Sequence, residues 1–163
     1  MAEVKRALVA GSFDPPTLGH YDLAVRAAAI FDEVYVVAFG NAEKRGRFSD
    51  EEKLLMLRAS FADTPNIRCD ISSGMLADYA VSHGIKTLVK GARGSVDFDY
   101  ELTLSLINRS AEPELDTVIF PAKQEYMFIS STMVSEMIKY GRDYSRYVPA
   151  GAAEIIGRII NNL

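Results

Sequence analysis

The stretch GSFDPPTLGH, residues 11–20, leaves an apolar run, Ala7-Leu8-Val9-Ala10, through a glycine, a serine and two prolines. It then sets a histidine where helical spacing begins. Such a turn packs poorly, but it suits a backbone that must come close to a ligand with His20 facing it. Gly11 permits that close approach. Pro15 and Pro16 stiffen the turn and delay the helix. Thr17 can cap the helix, which puts Gly19 and His20 in its first turn. Unpaired backbone N–H groups and the positive end of the helix dipole gather there and favour phosphate. Taken alone, a glycine-rich turn is more simply read as a stiff strand-to-helix connection with a surface histidine. Two other phosphate signatures, GxxxxGK[ST] and GxGxxG after a strand, are absent.

Two basic clusters follow apolar runs in the same way. One is Asn41-Ala42-Glu43-Lys44-Arg45-Gly46-Arg47 and the other is Lys90-Gly91-Ala92-Arg93-Gly94. Either could be a solvated loop. A third segment, Tyr126-Met127-Phe128-Ile129-Ser130-Ser131-Thr132, brings three hydroxyls to a helix start, where they can cap the helix or donate to phosphate oxygens.

The elements that must hold these residues alternate. Strand-like runs fall at residues 5–11, 32–40, 66–72, 86–91 and 116–122, separated by segments with helical spacing. Leu23, Ala27, Ile30 and Phe31 share one helical face. Ser49-Asp50-Glu51-Glu52 is a capping box before Leu54, Leu55 and Leu57. Helices are also expected from Met75 to His83, stopped by Gly84, and from Phe98 to Asn108, with Leu102, Leu106 and Ile107 apolar. A further helix runs from Met133 to Tyr140, stopped by Gly141, and the last opens at Pro149 and carries Ile155, Ile156, Ile159 and Ile160. Strands alternating with helices predict an α/β fold: a Rossmann-like, doubly wound, five-stranded parallel sheet with helices on both faces, in one domain over residues 1–163. Ligands in such sheets bind beyond the carboxyl ends of the strands. All three chemistry-bearing segments fall at those ends.

Composition narrows the partners. The chain has 163 residues, 48% of them hydrophobic, which is enough for a real core. Its net charge of −4 argues against sequence-independent nucleic-acid binding, which needs many basic groups. The single cysteine, Cys69, forms no internal disulfide and reads as a buried strand residue. The start MAEVKR and the lack of a long apolar run point to neither a signal peptide nor a membrane span, so the expected location is the cytoplasm.

These motifs together resemble the phosphopantetheine adenylyltransferase family, in the nucleotidyltransferase superfamily with the HxGH or TxGH signature. The resemblance covers the whole chain. GSFDPPTLGH matches G[ST]FDPxTxGH, and Lys44 stands at the family's lysine after strand two. Lys90-Gly91-Ala92-Arg93 matches RGxR, Asp97-Phe98-Asp99-Tyr100-Glu101 matches DFxYE, and Ile129-Ser130-Ser131-Thr132 matches ISS[ST]. The resemblance implies transfer of the adenylyl group of ATP to 4′-phosphopantetheine, giving dephospho-coenzyme A and pyrophosphate, with Mg²⁺ and in a homohexamer. By family position His20 stabilises the transition state, with Lys44 and Arg93 also catalytic. Ser12, Phe13, His20, Gly91, Ala92, Arg93, Glu101 and Tyr126 to Thr132 (Tyr126, Met127, Phe128, Ile129, Ser130, Ser131, Thr132) bind ATP. Ser12, Lys44, Leu76, Lys90 and Asn108 bind the acceptor. The family usually has arginine where this chain has Lys90; lysine keeps the charge and loses the bidentate fork.

The implied chemistry fits the residues. The nucleophile is a phosphate monoester, already anionic, so the reaction needs neither a protein base nor a covalent intermediate. Catalysis becomes in-line positioning of two anions and stabilisation of charge on the α-phosphate and the leaving pyrophosphate. Two alternatives stand beside this reading. One is a related transferase with another acceptor, such as nicotinamide mononucleotide; Thr17 in place of the first histidine of HxGH argues against it. The other is a non-catalytic nucleotide-binding module on the same fold, against which His20, Lys44 and Arg93 argue.

Overall fold

Runs of valine, alanine and leucine between turn residues can be satisfied only inside a sheet covered on both sides. The computed structural model describes residues 3–40 and 46–162 and contains such a sheet. Its strands are β1 (Arg6–Gly11), β2 (Glu33–Phe39), β3 (Ile67–Ser72), β4 (Thr87–Ala92) and β5 (Asp116–Pro121), and its helices are α1 (Leu18–Ala28), α2 (Asp50–Ser60), α3 (Leu76–Ser82), α4 (Ser95–Ala111), α5 (Ser131–Lys139) and α6 (Ala150–Asn161). All strand pairs are parallel, in the order β3-β2-β1-β4-β5. The chain winds outward from β1 to β3, then returns to the other side of β1 for β4 and β5. The switch in direction lies between β1 and β4.

Alternation along each strand splits the core. Ala7, Val9, Val34, Val36 and Val89 face α1 and α2, packing with Ala24, Ala27 and Leu57. Leu8, Val37 and Leu88 face α3, packing with Ala77, Tyr79 and Ala80. A third cluster joins Met56 of α2 to Val134 and Ile138 of α5 and Ala152 and Ile156 of α6.

Several expectations need correction. Helix α1 ends at Ala28, so Ile30 falls beyond it and is 62% exposed; the buried positions are Asp22, Ala24 and Ala27. On α2, Leu55 is exposed, while Lys53, Met56 and Leu57 are buried. Helix α4 is longer than its apolar spacing suggests and buries no residue; Leu102, Leu106 and Ile107 are all exposed. Helix α5 begins at Ser131 because the Ser130 hydroxyl accepts the Met133 N–H at 3.1 Å. Cys69 is half-buried, and that burial pushes its thiol up to about 11, out of reach of thiolate chemistry at neutral pH. The Ser49 capping box and the positive φ of Gly84 and Gly141 are as the sequence indicates.

Helices α2 and α6 meet backbone to backbone. A Cβ added at Gly151 would stand 2.3 Å from the carbonyl oxygen of Ala59 and 2.5 Å from its carbonyl carbon. Backbone cannot swing aside as a side chain can, so Gly151→Ala is expected to destabilise the fold by about 1–3 kcal/mol. Urea denaturation measures this, and an unchanged midpoint would contradict the close approach.

Candidate active site

The switch between β1 and β4 opens a cleft of about 380 Å³ at the carboxyl ends of the strands. Val9, Ala10, Leu23, Val89 and Phe120 give it an apolar floor and wall, and His20, Asp22, Arg26, Lys90, Arg93, Glu101 and Lys123 give it charge and hydrogen-bonding groups.

Thr17 and His20 cap α1 reciprocally. The Thr17 hydroxyl accepts the His20 backbone N–H at 3.4 Å, and the Thr17 backbone N–H donates to His20 Nδ1 at 3.0 Å. In a capping box the returning acceptor is normally a carboxylate or amide; here it is an imidazole. A backbone N–H can only donate, so Nδ1 must carry its lone pair and the ring proton must sit on Nε2. Nε2–H is then free to serve the cleft that His20 lines. The ring packs edge-on against Phe13, with centroids 4.9 Å apart. Phe13 is itself fully buried and holds φ at 45°, a left-handed conformation costly for a residue with a Cβ. Burial, and next the Arg93 guanidinium, hold the His20 imidazole down to about 4, so the ring is neutral at physiological pH.

Helix α4 places an acid opposite each of two cleft cations. Arg93 donates through Nε at 3.0 Å and through its backbone N–H at 3.1 Å to Asp97 Oδ2, and Nη1 reaches the Ile129 carbonyl at 3.5 Å. Arg93 thereby holds the Asp97 carboxyl below its usual range. Lys90 Nζ lies 3.5 Å from Glu101 Oε2, a buried oxygen with no hydrogen-bond partner. An orphaned acceptor in a cleft wall is poised for a ligand donor. Ser131 donates to the Pro15 carbonyl at 2.8 Å, which ties the start of α5 to the turn before α1.

Of the residues given a catalytic or binding role from the sequence, the cleft brings together His20, Lys90, Gly91, Arg93, Glu101, Tyr126, Ile129, Ser130 and Ser131, and Thr17, Gly19, Asp97 and Tyr100 of the same motifs line it too. It does not gather the rest. Ser12 is exposed one residue before the buried Phe13. Ala92 ends β4 just outside the lining, and Met127, Phe128 and Thr132 are exposed. Leu76 packs against the α3-side core, and Asn108 lies near the far end of α4. Lys44 lies outside the described residues. Sequence reading passed over Asp14, whose carboxylate accepts the backbone N–H groups of Arg47 and Phe48 at 2.8 and 2.9 Å and so joins the turn after β1 to the chain leading into α2. It also passed over Asp22, Arg26 and Lys123, because an Asp–Arg pair at i, i+4 on a helix looks like a solvated face. Among the described residues no group of three His, Cys, Asp or Glu side chains could hold a metal ion.

Comparison with known proteins agrees in sequence and in fold. The profile of the cytidylyltransferase-like family matches residues 8–137. The chain is 40% identical over 150 residues to a phosphopantetheine adenylyltransferase of Thermotoga neapolitana, covering 92% of this chain and 93% of that one. It is 38% identical over 144 residues to a phosphopantetheine adenylyltransferase of Staphylococcus carnosus, covering 88% and 89%. A solved structure from Vibrio parahaemolyticus, provisionally assigned as a nicotinate-nucleotide adenylyltransferase, superposes with a TM-score of 0.71 over 96% of this chain and 93% of that one; at 17% identity it speaks for the fold alone.

The His20 environment predicts its titration. The unfolded chain binds a proton there near the ordinary imidazole value of 6.5, and the folded chain only near 4. The group therefore favours the folded state fully above the ordinary value, and this contribution falls away as pH drops toward the folded value. Proton NMR of the ring should show no titration of His20 between pH 8 and pH 5. A midpoint near the ordinary imidazole value would contradict the burial.

Proposed function

We infer that this chain, which belongs to the cytidylyltransferase-like family and within it to the phosphopantetheine adenylyltransferases, transfers the adenylyl group of ATP to 4′-phosphopantetheine. The products are dephospho-coenzyme A and pyrophosphate, and the reaction belongs to coenzyme A synthesis. The reading of the mechanism rests above all on the Thr17–His20 pair, which leaves a neutral ring with one N–H facing the cleft.

A phosphate oxygen of the acceptor attacks the α-phosphorus of ATP, the bond to the bridging oxygen of the leaving group breaks, and pyrophosphate departs with the electron pair. No proton has to be removed from the nucleophile. His20 Nε2–H donates to an α-phosphate oxygen as charge grows there, and a neutral donor does so without having to be charged against its burial. Arg93 and the hydroxyls of Ser130 and Thr132 hold ATP phosphates together with the backbone N–H groups of Gly91, Ala92 and Phe13, while Ser131, whose hydroxyl donates to the Pro15 carbonyl, places the start of α5 beside them. Tyr126, Met127, Phe128 and Ile129 line the nucleoside. Glu101 takes a ligand donor on Oε2, which faces Lys90 across an ion pair but accepts no hydrogen bond. Lys90 and Lys44 anchor the acceptor phosphate with Ser12, and Leu76 and Asn108 contact the pantetheine arm. Lys90 offers a point charge where the family usually has a fork, and its pairing with Glu101 keeps that charge from standing alone.

Mg²⁺ enters with the triphosphate. Asp97 and Glu101 already face cations, so the protein would offer the ion few carboxylate ligands of its own, and the chemistry it would supply is neutralisation of charge on the leaving group. The protein acts in the cytoplasm as a homohexamer. What supports assembly is α4, whose Val96, Tyr100, Leu106 and Ile107 are each more than half exposed on a helix that buries nothing. A second copy of the chain is the occupant proposed for that face, and light scattering of the purified protein tests it. No helix of the described residues is long and apolar enough to cross a membrane.

The experiment is an acceptor panel with coupled pyrophosphate detection. With Mg²⁺ and ATP, 4′-phosphopantetheine should support turnover, whereas nicotinamide mononucleotide, glycerol phosphate and pantetheine lacking its phosphate should not. Discrimination should appear in kcat/KM, because binding of the arm helps hold the phosphate in line. Faster turnover with nicotinamide mononucleotide would move the chain to a neighbouring activity, and no turnover with any acceptor would leave a non-catalytic nucleotide binder.

A further inference from the structure

One side of the cleft is held by charge rather than by packing. β5 is an edge strand, paired only with β4, and the chain after it runs over the cleft through Lys123 and Tyr126 to Ser130 and Ser131. No ladder ties that segment to α1, the helix that carries His20; its far end is held by the Ser131 bond to the Pro15 carbonyl, and its near end needs another tie. Asp22 makes the connection. Its carboxylate, 9% exposed, accepts from Lys123 Nζ at 2.7 Å and from Arg26 Nη1 at 3.3 Å. The same Arg26 nitrogen donates to the Pro121 carbonyl at 3.0 Å, and its guanidinium stands 5.0 Å from the centre of the Phe120 ring. One buried acid thus joins the second turn of α1 to the end of β5 and to Lys123, two residues beyond it.

We propose that Asp22 is a positioning residue: by strapping Lys123 and Arg26 to α1, it sets the distance between His20 and the nucleotide-binding chain after β5. This rests on the reading that the cleft takes ATP. A surface ion pair contributes little, because water and salt compete for both partners. Here the acid is withdrawn from water and both its oxygens are occupied. Removing one cation leaves a poorly solvated charge in the cleft wall. The strap would then reorganise, and the chain between Lys123 and Ser130 would shift relative to His20. Ser12, Leu76, Lys90 and Asn108, assigned to the acceptor, make none of these contacts, so the effect should fall on one substrate.

Lys123 is the place to test this, because its side chain is half-exposed and can be changed without unfolding the protein. Calorimetric titration of the full-length protein with ATP and Mg²⁺, and separately with 4′-phosphopantetheine, is carried out on wild type, Lys123→Met and Lys123→Arg, with circular dichroism as a check on folding. Lys123→Met should bind ATP about tenfold more weakly, the scale of one well-placed charge contact. Lys123→Arg, which can still reach Asp22, should stay within about threefold of wild type. Binding of 4′-phosphopantetheine should be the same in all three. Equal ATP affinity in wild type and Lys123→Met would overturn the proposal, as would an equal loss for both ligands. If wild type bound ATP but not 4′-phosphopantetheine, and the ATP pattern held, the strap would stand and the acceptor assignment would fall.

Discussion

A backbone N–H has no choice about its role, and at Thr17 that fact organises the site. This N–H donates to His20 Nδ1 at 3.0 Å. The bond starts α1, fixes the ring's orientation and decides which ring nitrogen keeps the proton. Phe13 braces the ring from the side and accepts a left-handed backbone to do so. Burial and the Arg93 charge keep the ring neutral. A protonated His20 would lose its Nδ1 lone pair and with it the cap, so protonation and helix capping oppose each other. Helix start and phosphate donor are therefore two ends of one side chain.

The sheet supplies the second constraint. Return of the chain from β3 to β4 leaves a gap between two diverging connections, and the gap becomes the cleft. A chain of net charge −4 must bring two polyanions into it. It does so by placing Lys90, Arg93 and Lys123 around the cleft and pairing each with an acid, Glu101, Asp97 and Asp22 in turn. Pairing lowers the cost of holding cations close together and fixes where each one points. Arg26 adds a fourth cation on the same Asp22 carboxylate.

Local grammar was the most legible part of the chain. Thr17 and Ser49 cap helices, Gly84 and Gly141 follow helix ends, and the five apolar runs form the five parallel strands, because these features depend on neighbours in sequence. Most of the nucleotide-side residues marked from motif positions, such as Gly91, Arg93 and Ser130, do share one cleft. What escaped depends on distant partners. The apolar spacing of Leu102, Leu106 and Ile107 says that something should cover α4, not that this chain leaves it bare. Asp22 gives no sign in sequence that Lys123 lies against it across the cleft. The lowered pKa of His20 comes first from burial and then from Arg93, both of which depend on residues distant in sequence.

The two duties of His20 can be separated by one substitution. Asparagine at this position carries an oxygen close to where Nδ1 lies and nothing where Nε2 lies. His20→Asn should therefore keep the Thr17 cap and lose the phosphate donor. Measured side by side with His20→Ala, its unfolding midpoint should stay near that of the wild type while kcat falls on the order of a hundred- to a thousand-fold, roughly 3–4 kcal/mol of transition-state stabilisation. A His20→Asn protein as unstable as His20→Ala, or one that turns over at the wild-type rate, would contradict the assignment of one nitrogen to the helix and the other to the reaction.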